Sequence, residues 1–148
     1  VKFLVTAMQE PTLHGWRLAD AKHMRMSGYA AKVRSMNWSA DGKYLATSGS
    51  DQIILWPFGS KDGPMGKQPL MLAPSDRRVS VVACHPNQDI VAAGFDNGLI
   101  LLVRIADGAE ILARHPDSHP VSAVAWNTAG SLLAFGTEGG QAGIVNLA

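Results

Sequence analysis

Three stretches of the chain repeat one another without a gap: Val33-Arg34-Ser35-Met36-Asn37-Trp38-Ser39, Val79-Ser80-Val81-Val82-Ala83-Cys84-His85 and Val121-Ser122-Ala123-Val124-Ala125-Trp126-Asn127. Each is followed by a polar turn, an apolar strand containing glycine, a second turn with an acidic residue, and a third apolar strand. Their first valines lie 46 and 42 residues apart. A period of about 40 to 45 residues carrying several short strands is the spacing of propeller blades, sheets that bury their faces only by stacking on copies of themselves. No segment of helical length carries a clean 3.6-residue period, so the fold class is all-β.

The repeat divides the chain into four units. The second, residues 32–78, is expected to hold four strands a to d at Val33 to Ser39, Tyr44 to Ser48, Ile53 to Phe58 and Pro69 to Ala73, with Asp41-Gly42 forming the first hairpin turn. The third, residues 79–120, repeats them as Val79 to His85, Ile90 to Gly94, Leu99 to Ile105 and Glu110 to Arg114. The fourth, residues 121–148, supplies a, b and c at Val121 to Asn127, Ser131 to Gly136 and Gly143 to Leu147, and lacks its outer strand. The first, residues 1–31, supplies b, c and d at Lys2 to Met8, Leu13 to Leu18 and Lys22 to Met26, with Trp16 in register with Trp56. The expectation is about three and a half four-stranded antiparallel blades, the C-terminal part of a larger ring. The missing blades, or a second copy of the chain, would complete it.

Composition excludes more than it proposes. A net charge of +1, with scattered Lys and Arg, gives no footprint for nucleic acid or an anionic membrane surface. The longest apolar run, Leu99 to Val103, has strand length and cannot span a bilayer as a helix. Cys84 is the one cysteine, so no internal disulfide forms, and its place in an apolar strand reads as a small buried hydrophobe. The expected compartment is the cytoplasm.

The run from Met36 to Asp51, Met-Asn-Trp-Ser-Ala-Asp-Gly-Lys-Tyr-Leu-Ala-Thr-Ser-Gly-Ser-Asp, followed by Ile53-Ile54-Leu55-Trp56, resembles the WD40-repeat family, and the resemblance extends over the whole chain. It implies a β-propeller, commonly of seven blades, that holds partners on its narrower top face. The eponymous Trp-Asp pair is replaced by Trp16-Arg17, Trp56-Pro57, Val103-Arg104 and Val145-Asn146, the divergence expected of a bacterial member. No Gly-His pair occurs, although Gly28-Tyr29 occupies its slot before Val33. The family's His, Asp, Ser/Thr and Trp network is therefore not expected here.

Motifs for chemistry do not assemble. His115 and His119 flank Asp117, but Pro116 and Pro120 oppose the helix that would align them, and a polar loop is the better reading. Gly136 to Gly143 joins two strands and contains no lysine, so it is a turn and not a phosphate loop. No Gly-x-Ser-x-Gly elbow occurs, and the acidic residues fall one per turn. The four tryptophans occupy two pairs of repeat-equivalent positions, which predicts packing between blades. No catalytic residue, metal or cofactor is expected.

Three features remain once the repeat is subtracted. Gly59 to Gln68 makes the c-to-d connection of the second unit long, either a spacer or a contact site. Arg77 and Arg78 share a corner type with Lys32 and Arg34. Tyr29, Gln52, Phe95, Asn97 and His119 join them on the top face that the resemblance implies. Arginine beside aromatic residues is the composition of binding hot spots. The expected function is a non-enzymatic scaffold binding a protein or peptide through these nine residues. The alternative is a propeller enzyme or ligand-binding propeller whose active groups lie mostly in blades beyond this sequence.

Overall fold

The computed structural model describes residues 2–148, and among them every regular element is a strand. The first sheet holds β1 (Phe3–Ala7), β2 (Leu13–Arg17) and β3 (Lys22–Met26). The second holds β4 (Met36–Trp38), β5 (Tyr44–Thr47), β6 (Ile53–Pro57) and β7 (Leu70–Leu72). The third holds β8 (Val79–Cys84), β9 (Ile90–Phe95), β10 (Ile100–Arg104) and β11 (Glu110–Arg114); the fourth holds β12 (Val121–Trp126), β13 (Leu132–Thr137) and β14 (Ala142–Asn146). Within each sheet the strands lie side by side in chain order, all antiparallel, in counts of three, four, four and three. These are the expected blades.

One strand is shorter than its sequence pattern. Strand a of the second blade pairs only over Met36 to Trp38, because the Ser48 hydroxyl accepts the Arg34 and Ser35 N–H groups at 3.3 and 3.1 Å. A side chain there replaces two ladder partners. The same place in the repeat is irregular in the other blades, with register shifts between Val79 and Val81 in β8 and between Val121 and Ala123 in β12. Such bulges turn one residue out of the pleat. Arg34, Ser80 and Ser122 are those residues, and this defect aims them at a common point.

Three apolar clusters fill the three gaps between successive blades. Phe3, Leu13, Met24 and Met26 meet Leu45, Ile54, Trp56 and Phe58 between the first two. Ile53, Leu55 and Leu72 meet Val82, Val91 and Phe95 between the second and third. Ala92, Ile100 and Leu102 meet Val121 and Leu133 between the third and fourth. The strand β6 shows why its sequence does not alternate: Ile54 and Trp56 face the first blade while Ile53 and Leu55 face the third. A sheet covered on both sides reads as a continuous apolar run. β14, uncovered on one side, alternates exposed and half-buried residues.

Glycine is required where blades or turns touch. A Cβ on Gly94 would lie 2.6 Å from the Val121 Cβ of the next blade, and Gly42, in the Asp41 turn, has φ of 71°. The Asp41 carboxylate completes that turn by accepting the Lys43 N–H at 3.0 Å and the Ser39 hydroxyl at 2.7 Å. The long connection from Gly59 is a contact, not a spacer. Its Asp62 reaches back to Arg17 of the first blade at 2.8 Å, and Gly63 sits against the Phe3 ring.

The tryptophans divide. Trp56 is buried between the first two blades, and Trp126 lies partly buried with Nε1 donating to the Ala83 carbonyl of the third blade at 3.0 Å. Trp38 is 40% exposed, touching the Phe58 ring edge-on, because the first sheet supplies no innermost strand opposite it. Trp16, on the outer face of that sheet, stacks on His14 with centroids 4.3 Å apart. Repeat equivalence predicts interblade packing for all four; it holds where a blade lies opposite.

Candidate interaction site

A concavity of about 630 Å³ opens where the innermost strands begin, between the second, third and fourth blades. The out-turned Arg34, Ser80 and Ser122 line it, with Lys32 and Arg78 from the preceding corners and Asp96 and Glu138 from the b-to-c turns. The walls are held rigidly. Asp96 N–H donates to the Arg78 carbonyl and Glu138 N–H to the Pro120 carbonyl, each at 2.9 Å, tying turn to corner within each blade. Between blades, Ser80 donates its hydroxyl to the Val121 carbonyl at 2.6 Å, and Ser35 accepts the Val82 N–H at 3.0 Å.

Its charged groups are largely uncommitted. Among the described residues neither Arg34 nor Arg78 forms an ion pair, and Lys32 reaches only the Gln9 amide oxygen at 3.4 Å. One oxygen of Asp96, Oδ1, is buried without a hydrogen-bond partner, its nearest cation being Arg77 Nε at 3.9 Å. The serines differ: Ser80 and Ser122 spend their hydrogens on backbone carbonyls. The mouth therefore offers charges for binding and no activated nucleophile. Cys84 adds none, since burial pushes its thiol up to about 12.

Of the nine residues expected at the top face, Lys32, Arg34 and Arg78 line this mouth, and Arg77 stands beside it at Asp96. Gln52 lies apart, its amide against the Met71 sulfur at 3.7 Å. Asn97 supports its own turn, accepting the Leu99 N–H through its side chain and those of Asp117 and Ser118 through its carbonyl. His119 is exposed with its ring over Gly139.

Two of the nine are core residues, and their placement on a surface is corrected. Phe95 has no exposed area and fills the gap between the second and third blades. β9 is covered on both sides, and Phe95 shares with Val91 and Ala93 the phase that faces the second blade. Tyr29 is 7% exposed, and its hydroxyl joins a buried chain of hydrogen bonds. Trp56 Nε1 donates to Tyr29 Oη at 2.7 Å, Tyr29 meets Thr47 Oγ1 at 2.6 Å, and Thr47 donates to the Ile54 carbonyl at 2.7 Å. Because Ile54 can only accept, Thr47 spends its hydrogen there, so the tyrosine must donate to the threonine. Among the described residues the second blade alone thus carries a shortened chain of this kind, with tyrosine in the histidine's slot and no aspartate joined to it. Burial raises the Tyr29 phenol above its ordinary range, which keeps the donor in place.

Sequence reasoning missed Arg114. Its guanidinium donates to the Gly98 carbonyl at 2.7 Å, to Asp117 at 2.6 Å and to Gln141 of the fourth blade at 2.7 Å, while lying over the Phe135 ring. Asp117 lies three residues on, but Gly98 and Gln141, which fix the guanidinium between blades, are brought to it by the fold. Asp117, considered as a metal ligand between two histidines, is instead claimed by Arg114 and by the His119 N–H, which hold its carboxyl below the usual carboxylate range. Asp96 and Glu138, by contrast, were legible: they occupy one position of the repeat.

Comparison with known families agrees with this architecture. The family model described as the WD domain, G-beta repeat, matches residues 22–56, from β3 through most of β6. The model described as the anaphase-promoting complex subunit 4 WD40 domain matches residues 82–148, from the third blade onward. The two matches fall on different copies of one repeating sheet, each in register with the blades, and this chain belongs to the WD40-repeat family.

Proposed function

We propose that the chain is a non-enzymatic interaction scaffold that receives a protein or peptide partner at the mouth between its second, third and fourth blades. WD40 domains generally mediate protein–protein interaction. The observation that carries the proposal is the set of unpaired charges at the mouth: Arg34, Arg78 and Lys32 project into a concavity whose walls are already hydrogen-bonded. The planar fork of a guanidinium loses less entropy per hydrogen bond formed than a flexible ammonium does, and arginine is enriched among binding hot spots. Sedimentation or pull-down with wild type against Arg34→Ala/Arg78→Ala tests it. A partner recovered by wild type should be lost in the variant, and undiminished recovery of every partner would remove the proposal.

The outer faces of the first and last sheets belong to the same reading. Leu4 on one is 53% exposed and Ile144 on the other 67%. Apolar side chains this open on sheet faces support completion of the propeller by further blades or by a second copy. We place the protein in the cytoplasm, acting on protein partners and not on nucleic acid or membrane. Its near-neutral charge supports a protein partner over nucleic acid, and among the described residues no helix is long and apolar enough to cross a membrane.

A further inference from the structure

We propose that the mouth selects an extended peptide of split charge, acidic toward one end and basic toward the other. This rests on the mouth being a peptide site and names what that peptide must carry. Three repeat positions meet there. The residue before each first valine is Lys32, Arg78 or Pro120. The residue after it is Arg34, Ser80 or Ser122, and the acidic residue of the b-to-c turn is Asp51, Asp96 or Glu138, of which Asp96 and Glu138 line the mouth. Blade by blade the sign changes. The second blade presents Lys32 and Arg34, the third sets Arg77 and Arg78 beside Asp96, and the fourth presents Glu138 alone.

The rim is therefore a dipole across a concavity, positive on the second blade and negative on the fourth. A wholly acidic segment would satisfy Lys32 and Arg34 but meet Asp96 and Glu138, and a wholly basic one would fail at the other side. Like charges brought together at an interface reject a partner as effectively as opposite charges attract one. A phosphate dianion would meet the same two carboxylates, which favours unmodified Asp and Glu side chains over a phosphorylated segment. The Asp96 side chain, 40% exposed, supplies a carboxylate midway for a backbone N–H or a lysine of the peptide.

The test is fluorescence anisotropy on the full chain with three labelled peptides. One has a glutamate block and a lysine block separated by glycines; the other two keep only the acidic or only the basic block. The split peptide should bind about tenfold more tightly than either. Arg34→Glu and Glu138→Lys should each weaken it about fivefold, with Glu138→Lys improving the acidic peptide and Arg34→Glu the basic one. Both side chains are exposed, so thermal melts should match wild type; Lys32→Glu replaces Arg34→Glu if that variant melts early. Equal affinity for all three peptides, or a split-peptide affinity unmoved by both reversals, overturns the inference. A single-sign peptide that binds best, and is lost in Arg34→Glu/Arg78→Glu, overturns the split-charge inference while leaving the mouth as a peptide site. No peptide responding to any mouth substitution overturns both.

Discussion

Tyr29 carries two jobs on one buried hydroxyl: it accepts from Trp56 and donates to Thr47, joining a corner to two strands of the second blade. Tyr29→Phe keeps the ring in its cluster and strands an indole N–H and a threonine oxygen. We expect a loss of about 1 to 3 kcal/mol in urea denaturation, with the ring packing intact. Trp56→Ala removes a 7%-exposed indole and should cost about 3 to 5 kcal/mol; an unchanged melt would contradict its place in the core. Gly130 is constrained from the other side. Its φ is 73°, and a Cβ there would fall 2.1 Å from His85 Nε2. That imidazole accepts the Asn87 and Gln88 N–H groups at Nδ1 and donates to the Gly130 carbonyl from Nε2, locking a third-blade turn to the fourth blade. Gly130→Ala should therefore destabilise by about 2 kcal/mol or more, measured by denaturant midpoint. The burial of Tyr29 was not readable from sequence, because a tyrosine in a corner is as suitable for a surface as for a core.

At the level of elements, blades are joined at three depths: apolar clusters in the gaps, serine bonds between innermost strands, and Arg114 at the outer corner. The Arg114 pair makes a pH prediction. The Asp117 carboxyl is held low by Arg114 and the His119 N–H, so its ionised form stabilises the fold fully above about pH 4, and the contribution is lost as pH falls through the lowered folded value. Wild type should melt above Asp117→Asn near neutrality, and the gap should close as pH falls below about 4. The Arg17 to Asp62 bridge is different in kind. Asp62 is 67% exposed, and Asp62→Ala should change stability by about 0 to 1 kcal/mol at most. The docking of Gly59 to Gln68 was open on sequence grounds, since length alone does not say whether a loop returns.

Among the described residues, the first and last sheets each present a face with no blade against it. Self-association through these faces should appear as a concentration-dependent sedimentation coefficient, reduced by Ile144→Glu, whose side chain points away from the rest of the chain. A concentration-independent monomer would count against that use of the face. The sequence alone determined the blades, because the alternation of each strand and the 46- and 42-residue spacings are local properties repeated along the chain. It also placed Lys32, Arg34 and Arg78 at one level, because equivalent positions of a repeat must lie at equivalent heights. Only the tertiary structure decided which of those positions face a neighbour. Trp38 and Trp126 occupy the same place in the repeat, yet one is 40% exposed and the other donates to the adjoining blade. Phe95 and Tyr29 fell inward, and Arg114 found Gly98, Asp117 and Gln141. Contacts between blades join residues some forty positions apart, and a local pattern fixes a side chain's phase in its own strand without saying what stands across the gap.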